Sequence, residues 1–162
     1  MTPSERKPQV SQYGSVDPAP PSHIAVLDTL TEQLCDESQP MFQRMRAVFA
    51  LRNQRTEEAC LALCQGFSSQ SALLRHEIAY VLGQMQNPAA LPTLVDRLED
   101  DEEHVMVRHE AAEAMGAIGD RSVVPTLQKF VNDPLPEVAE SCVVALDLLA
   151  WVEGSEFEQT EW

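Results

Sequence analysis

Two of the chain's four histidines are each followed directly by a glutamate, and both pairs lie in apolar surroundings. The pairs are His76-Glu77 and His109-Glu110, 33 residues apart. Two imidazoles and one carboxylate on one side of an ion suit non-haem ferrous iron, which needs open positions for dioxygen or substrate. Zinc accepts the same ligand types, and the residues alone leave both metals open. The two pairs are therefore candidate metal ligands if the fold brings them together.

A repeat runs through most of the chain at offsets of 31, 33 and 31 residues. Each unit holds two apolar segments with helical periodicity, and no stretch alternates strictly as a strand would. A lone pair of helices cannot bury its apolar face, so neighbouring pairs must stack. The predicted fold class is all-α, an α-solenoid of about four helix pairs. The units are Met41–Ser71, Ala72–His104, Val105–Pro134 and the segment from Leu135 onward.

The repeat places His76 and His109 at the same position, near the start of the first helix in each of the two central units. Equivalent positions on stacked helices lie side by side, with helix axes about 8–10 Å apart. Two imidazoles leaning across that gap can share one ion, since metal–nitrogen bonds are roughly 2.0–2.1 Å long. Glu77 or Glu110 then adds an oxygen ligand.

The residues around these pairs suggest supporting roles. Arg75 and Arg108 precede the two histidines and are expected either to pair with Glu77 or Glu113 or to orient the ligands. Glu113, one turn after His109, is placed to hydrogen-bond its imidazole. The acidic link EDDEEH, which ends in a histidine, is most simply a solvated connection.

Composition restricts the class of protein. The net charge is −15, from 26 acidic and 11 basic residues, which argues against binding nucleic-acid phosphates. No apolar stretch is long enough to span a membrane, and the first residues lack an apolar signal core. The four cysteines fit neither a zinc pair nor a disulfide framework, so a reducing, cytoplasmic location is expected.

The chain divides into three predicted parts. Residues 1–22 are rich in proline and serine and are expected to form a disordered or extended arm, because proline interrupts helices. Residues 23–152 form the metal-binding lobe, and its first helical stripe, starting at Ile24, packs on the first repeat. Residues 153–162 are acidic and are predicted to form a flexible tail.

The repeat length, the proline placement and the ending EAAEAMGAIGD resemble HEAT repeats of the short type found in bilin lyases. Within them, SALLRHEIAYVLGQMQNPAALPTLVDRLED and MVRHEAAEAMGAIGD look like deoxyhypusine hydroxylase. YGSVDPAPP followed by MFQRMRAVFALRN resembles that family's linker and the start of its second, carboxy-terminal lobe. The resemblance covers residues 13 to about 152.

The resemblance implies an iron-dependent monooxygenase. The family hydroxylates the deoxyhypusine side chain of a translation initiation factor to form hypusine, and its diiron centre lies between two lobes with two His-Glu motifs each. Transferred to this chain, His76, His109 and Glu110 resemble iron ligands. Glu77 resembles the neighbouring carboxylate, a candidate for catalysis, substrate binding or metal binding. Met106 falls beside the substrate channel.

This chain carries two such motifs instead of four. The expected cofactor is Fe²⁺, with two ions in a complete site and one held by this lobe. The expected partners are the deoxyhypusine-bearing factor, dioxygen, and either a missing amino-terminal lobe or a second copy of this chain. The alternative is a HEAT-repeat scaffold without catalysis, or a metal-binding fragment lacking its second lobe.

Overall fold

The computed structural model describes all residues from 1 to 162 and contains eight α-helices and no β-strand. This confirms the predicted all-α fold. Short 3₁₀ turns join several of the helices. The helices are α1 (Leu27–Cys35), α2 (Met41–Gln54), α3 (Glu57–Gln65), α4 (Ala72–Met85), α5 (Leu91–Glu99), α6 (Val105–Ile118), α7 (Val124–Lys129) and α8 (Pro136–Glu153).

The helices form two layers. The first layer stacks α2, α4, α6 and α8 side by side, with the tightest packing of α4 on α6 and of α6 on α8. The helices α1, α3, α5 and α7 lie behind them, where α5 packs on α6 and α7 on α8. The core between the layers is built from fully buried aliphatic side chains such as Leu82, Leu94 and Leu98. Stacking of this kind is what the repeat predicted.

Small residues let the first-layer helices approach one another closely. A Cβ atom added to Gly83 would lie 3.1 Å from Cα of Ala114, and one added to Gly116 would lie 2.9 Å from Cβ of Ala145. Larger side chains at these points would push α4, α6 and α8 apart. The close approach therefore keeps side chains on neighbouring first-layer helices within contact distance.

The starts of α4 and α6 are fixed by side-chain caps. Ser71 Oγ accepts a hydrogen bond from the Leu74 backbone N–H, and His104 Nδ1 accepts one from the Met106 backbone N–H. Such caps satisfy N–H groups that have no partner within the helix. His104 is exposed, as expected, and its ring is also the cap of α6. Both helices thus begin four residues before a candidate ligand.

The first helix starts later than its apolar stripe predicted. It begins at Leu27 instead of Ile24, and the backbone before it is extended. The Gln54 side chain donates a hydrogen bond to the carbonyl oxygen of Ala25, which holds that carbonyl outside the helix. This contact comes from the end of α2, and the local periodicity does not record it.

The segment before α1 contains no α-helix, as its prolines predicted, and part of it lies against α2. The Arg46 guanidinium donates hydrogen bonds to the carbonyl oxygens of Pro20 and Pro21. Asp17 forms an ion pair with Arg52 at 2.7 Å. The division of the chain at residues 22 and 152 stays a prediction. None of the helices has both the length and the apolar character needed to cross a membrane.

Candidate metal centre

Three of the predicted ligands converge between α4 and α6. Nε2 of His76 lies 3.1 Å from Oε2 of Glu110, and Nε2 of His109 lies 3.3 Å from the same oxygen. The two imidazole rings have centroids 6.2 Å apart and are inclined by 23°. One ligand atom from each residue lies within 4.8 Å of the others. The 33-residue offset therefore brings the two histidines to adjacent helices, as the repeat predicted.

The position of each side chain follows from the helix register. His76 is the fifth residue of α4 and His109 the fifth residue of α6, so both rings lie at the same level of the stack. Glu110 follows His109, is buried on α6, and turns toward α4. The site is therefore made by two neighbouring helices without any loop residue.

The Glu110 carboxylate changes the acid–base behaviour of His76. Its hydrogen bond to the ring raises the pKa of His76, although burial of the ring acts in the opposite direction. In the absence of a metal, a proton on Nε2 of His76 thus forms a hydrogen bond to the Glu110 carboxylate. A divalent cation can take the place of that proton, because two neutral imidazoles and one carboxylate form a donor set suited to it. The residues present fit a metal ion.

Glu77 lies outside this cluster. Its nearest contact to a ligand is 3.9 Å, from Oε1 to Nδ1 of His76, on the ring nitrogen that points away from Glu110. Burial raises the pKa of the Glu77 carboxyl, and the negative charges of Glu110 and Asp17 act in the same direction. Of the four residues predicted as ligands, the structure therefore groups three and sets Glu77 beside them.

Met106 lies one turn before His109 on α6 and is 41% exposed. Leu73 holds the equivalent position before His76 on α4 and is 51% exposed. An exposed apolar side chain therefore lies one turn before each histidine. The role of Met106 beside a substrate channel stays a prediction.

The arginines that precede the histidines do not contact Glu77 or Glu113. Arg75 binds Glu103 at 2.6 Å, and Arg108 binds Asp133 at 2.8 Å. Both acidic partners lie in the links that follow the second-layer helices. Glu103 is buried, so this part of the acidic link is not solvated as expected. The arginines fix the helices and do not touch the ligands.

Ser141 on α8 is a contact of the site that sequence reasoning missed. Its hydroxyl oxygen lies 2.9 Å from Nδ1 of His109, closer than the 3.5 Å of the predicted partner Glu113. The signal was present in the alignment of the repeats, because Ser141 holds the position of Glu77 and Glu110 in the last unit.

The fold and this cluster define a class, a HEAT-repeat protein with a His/His/Glu group on its first-layer helices. The family of HEAT repeats matches residues 27–106, and the PBS lyase HEAT-like repeat matches residues 107–133. The bilin-lyase type of repeat predicted from the sequence is thereby confirmed.

Deoxyhypusine hydroxylase of Saccharomyces cerevisiae is 52% identical over 153 residues, which cover 93% of this chain and 47% of that protein. Deoxyhypusine hydroxylase of Homo sapiens is 48% identical over 155 residues, 96% of this chain and 51% of that protein. The solved structure of the human enzyme in complex with glycerol superimposes with a TM-score of 0.86 at 50% identity, covering 90% of this chain and 50% of that one. The chain spans about half the length of the curated relatives it matches. It is a HEAT-repeat homologue of one half of deoxyhypusine hydroxylase.

Proposed function

We propose that this chain supplies one half of the active site of a deoxyhypusine hydroxylase. The enzyme would be an iron-dependent monooxygenase that converts the deoxyhypusine side chain of a translation initiation factor to hypusine. The observation that carries the proposal is the convergence of His76, His109 and Glu110 on one volume. The choice of reaction is supported by the names of the relatives, which are about 50% identical to this chain.

Fe²⁺ would be held by Nε2 of His76, Nε2 of His109 and Oε2 of Glu110, which supply three of its positions. When bound, ferrous iron supplies the binding and reduction of dioxygen. In the overall reaction one oxygen atom enters a substrate C–H bond and the other leaves as water. The water takes two electrons and two protons, and the electrons come from an external electron donor.

The other predicted residues serve the substrate. Glu77 presents a half-buried carboxylate beside the ligand group, where it could bind an amine of the substrate side chain or accept a proton from it. Met106 offers an apolar surface for the methylene groups of that side chain. The net charge of −15 favours approach of a basic protein surface.

The half-site supplies ligands for one iron, so a complete diiron centre needs a second half. That half would come from the rest of an enzyme of this family or from a second copy of this chain. We place the reaction in the cytoplasm, supported by four cysteines that form no disulfide.

Metal content of the anaerobically purified chain tests the proposal. We expect about one iron per chain, and a loss of that iron in His76→Ala and in His109→Ala because each variant removes one of three ligands. His23→Ala is the matched control, since His23 is exposed and far from the cluster in sequence. Failure to bind iron after iron loading, or unchanged iron content in both ligand variants, would overturn it.

A further inference from the structure

The back of the His109 ring is held by Ser141. The Ser141 hydroxyl oxygen lies 2.9 Å from Nδ1 of His109 and 2.6 Å from the backbone carbonyl oxygen of Glu137. Ser141 is buried between α6 and α8, with 5% of its surface exposed. Water therefore has little access to the Ser141 hydroxyl.

These two distances determine where the protons lie. Two oxygen atoms 2.6 Å apart need a proton between them, and the carbonyl of Glu137 has none to give. The Ser141 hydroxyl therefore donates to that carbonyl, a bond that serines in helices often make to the residue four positions earlier. Its oxygen can then only accept from the imidazole, which favours a proton on Nδ1 of His109. The Glu113 carboxylate, 3.5 Å from Nδ1, favours the same position, whereas the Glu110 carboxylate, 3.3 Å from Nε2, favours the other.

We propose that Ser141 is a positioning residue that holds His109 as the Nδ1–H tautomer, which leaves the lone pair of Nε2 free for a metal ion shared with Glu110. A metal-binding histidine commonly donates its other ring N–H to a fixed acceptor, which sets both tautomer and ring orientation. The part of this proposal that concerns metal affinity rests on the proposed function, and the tautomer itself does not.

The repeat explains the position of Ser141 relative to His109. Glu110 on α6 contacts His76 on α4, and Ser141 on α8 contacts His109 on α6 across the same stagger. One register position thus reaches back to the histidine of the preceding unit in both cases. At this position Glu110 adds a candidate ligand beside Nε2 of His76. Ser141, at the same position one unit later, contacts the other ring nitrogen, Nδ1, of His109. By contrast, Nδ1 of His76 is buried and has no hydrogen-bond partner.

Nitrogen-15 NMR of the metal-free chain, at a pH where the ring signals are those of neutral imidazole, reads the tautomer directly. We expect His109 to show the Nδ1–H form in the unmodified chain and in Ser141→Thr. In Ser141→Ala we expect that form to give way to a mixture or to Nε2–H. The matched control is Thr31→Ala, because Thr31 donates to the Leu27 carbonyl at 2.8 Å in the same way but faces no histidine.

Anaerobic titration with Fe²⁺ provides a second measurement. Ser141→Ala should weaken binding roughly 10- to 100-fold, whereas Ser141→Thr should restore it. Retention of the Nδ1–H form in Ser141→Ala, or an Nε2–H form in the unmodified chain, would overturn the role of Ser141. If the unmodified chain binds no Fe²⁺, the proposed metal centre fails, and the NMR result still decides the tautomer.

Discussion

Arg52 is a charged residue in the interior, and its partners explain how the fold tolerates it. Its side chain is fully buried on α2 and donates to Asp17 and to the Gln84 side chain, at 2.7 and 2.9 Å. The guanidinium also lies over the rings of Tyr13 and Phe49, at 4.5 and 4.9 Å from their centroids. A buried charge is costly unless paired, so Asp17 is required where it stands.

Replacing Asp17 by asparagine removes the only carboxylate bonded to Arg52 while keeping the size of the side chain. Breaking a buried ion pair from one side typically costs about 3–5 kcal/mol, and we expect a loss of stability of that order. Urea unfolding of the metal-free chain measures it. Asp28→Asn is the control, since Asp28 lies on the neighbouring helix α1 without a salt bridge. A loss below about 1 kcal/mol would show that Arg52 is satisfied without Asp17.

The sequence identified some functional residues and not others for a physical reason. His76, His109 and Glu110 repeat at one register, so stacking alone predicts that they meet. Asp17 lies in a proline-rich segment and pairs with Arg52, 35 positions later. No pattern in that segment distinguishes this aspartate from other acidic residues. Only the packed structure could show that its partner is buried.

The first-layer helices are anchored by arginines at a shared position. Arg44 and Arg108, the fourth residues of α2 and α6, donate through Nε to the carbonyl oxygens of Leu34 and Leu98, at the ends of the preceding second-layer helices. Helix ends leave such carbonyls without partners, so these bonds join the two layers. Arg75 on α4 donates instead to the Ser69 carbonyl and to Glu103. Two of these arginines directly precede the candidate ligands, and the anchoring therefore fixes the register of the site.

Glu103 joins α4 to the link before α6 through its ion pair with Arg75. Titration of its carboxyl makes the stability of the fold depend on pH. Burial acts to raise the pKa of its carboxyl, but hydrogen bonds from Arg75 and the His104 backbone outweigh burial and lower that pKa. The carboxylate therefore stabilises the folded chain above its unfolded-state pKa of about 4.3. That contribution is lost as the pH falls from this value through the lower folded-state pKa.

We expect Glu103→Gln to lower the unfolding free energy at neutral pH by about 2 kcal/mol, because it replaces charge-assisted hydrogen bonds with neutral ones. The difference from the unmodified chain should narrow below about pH 4.3, where Glu103 becomes protonated first in the unfolded chain and then, at its lower folded-state pKa, in the folded chain. Urea unfolding across this range measures both effects. Glu102→Gln changes an exposed neighbouring glutamate and should have little effect. A difference that stays constant down to the lowest pH would contradict this account.

Helical elements were more predictable than their boundaries and contacts. The predicted units start at Met41, Ala72 and Val105, and α2, α4 and α6 begin at these residues. Periodicity and stacking are local and repeated, so they can be read from one sequence. The later start of α1 and the burial of Glu103 depend on side chains from other elements, which no local pattern records.

At the scale of the molecule, the candidate metal centre lies open to solvent on the first-layer face. The side chains of His76 and His109 are 22% and 30% exposed. Solvent therefore reaches both candidate histidine ligands. Oxygen chemistry on a substrate needs water to be excluded from the reacting atoms. Under the proposed function, a second half that faces this one would cover the site.

Reconstitution of activity tests whether this chain needs a second half to hydroxylate a substrate. We expect the chain alone to leave a deoxyhypusine-bearing substrate protein unmodified, because one half supplies ligands for one iron. Mixing it with the complementary half of a deoxyhypusine hydroxylase, under iron and a reductant, should restore hydroxylation, detected as a mass increase of one oxygen atom. His109→Ala should abolish that gain and His23→Ala should not. Full activity of the chain as a monomer, shown by its mass in solution, would contradict the half-site, whereas activity of a dimer would identify a second copy as the missing half.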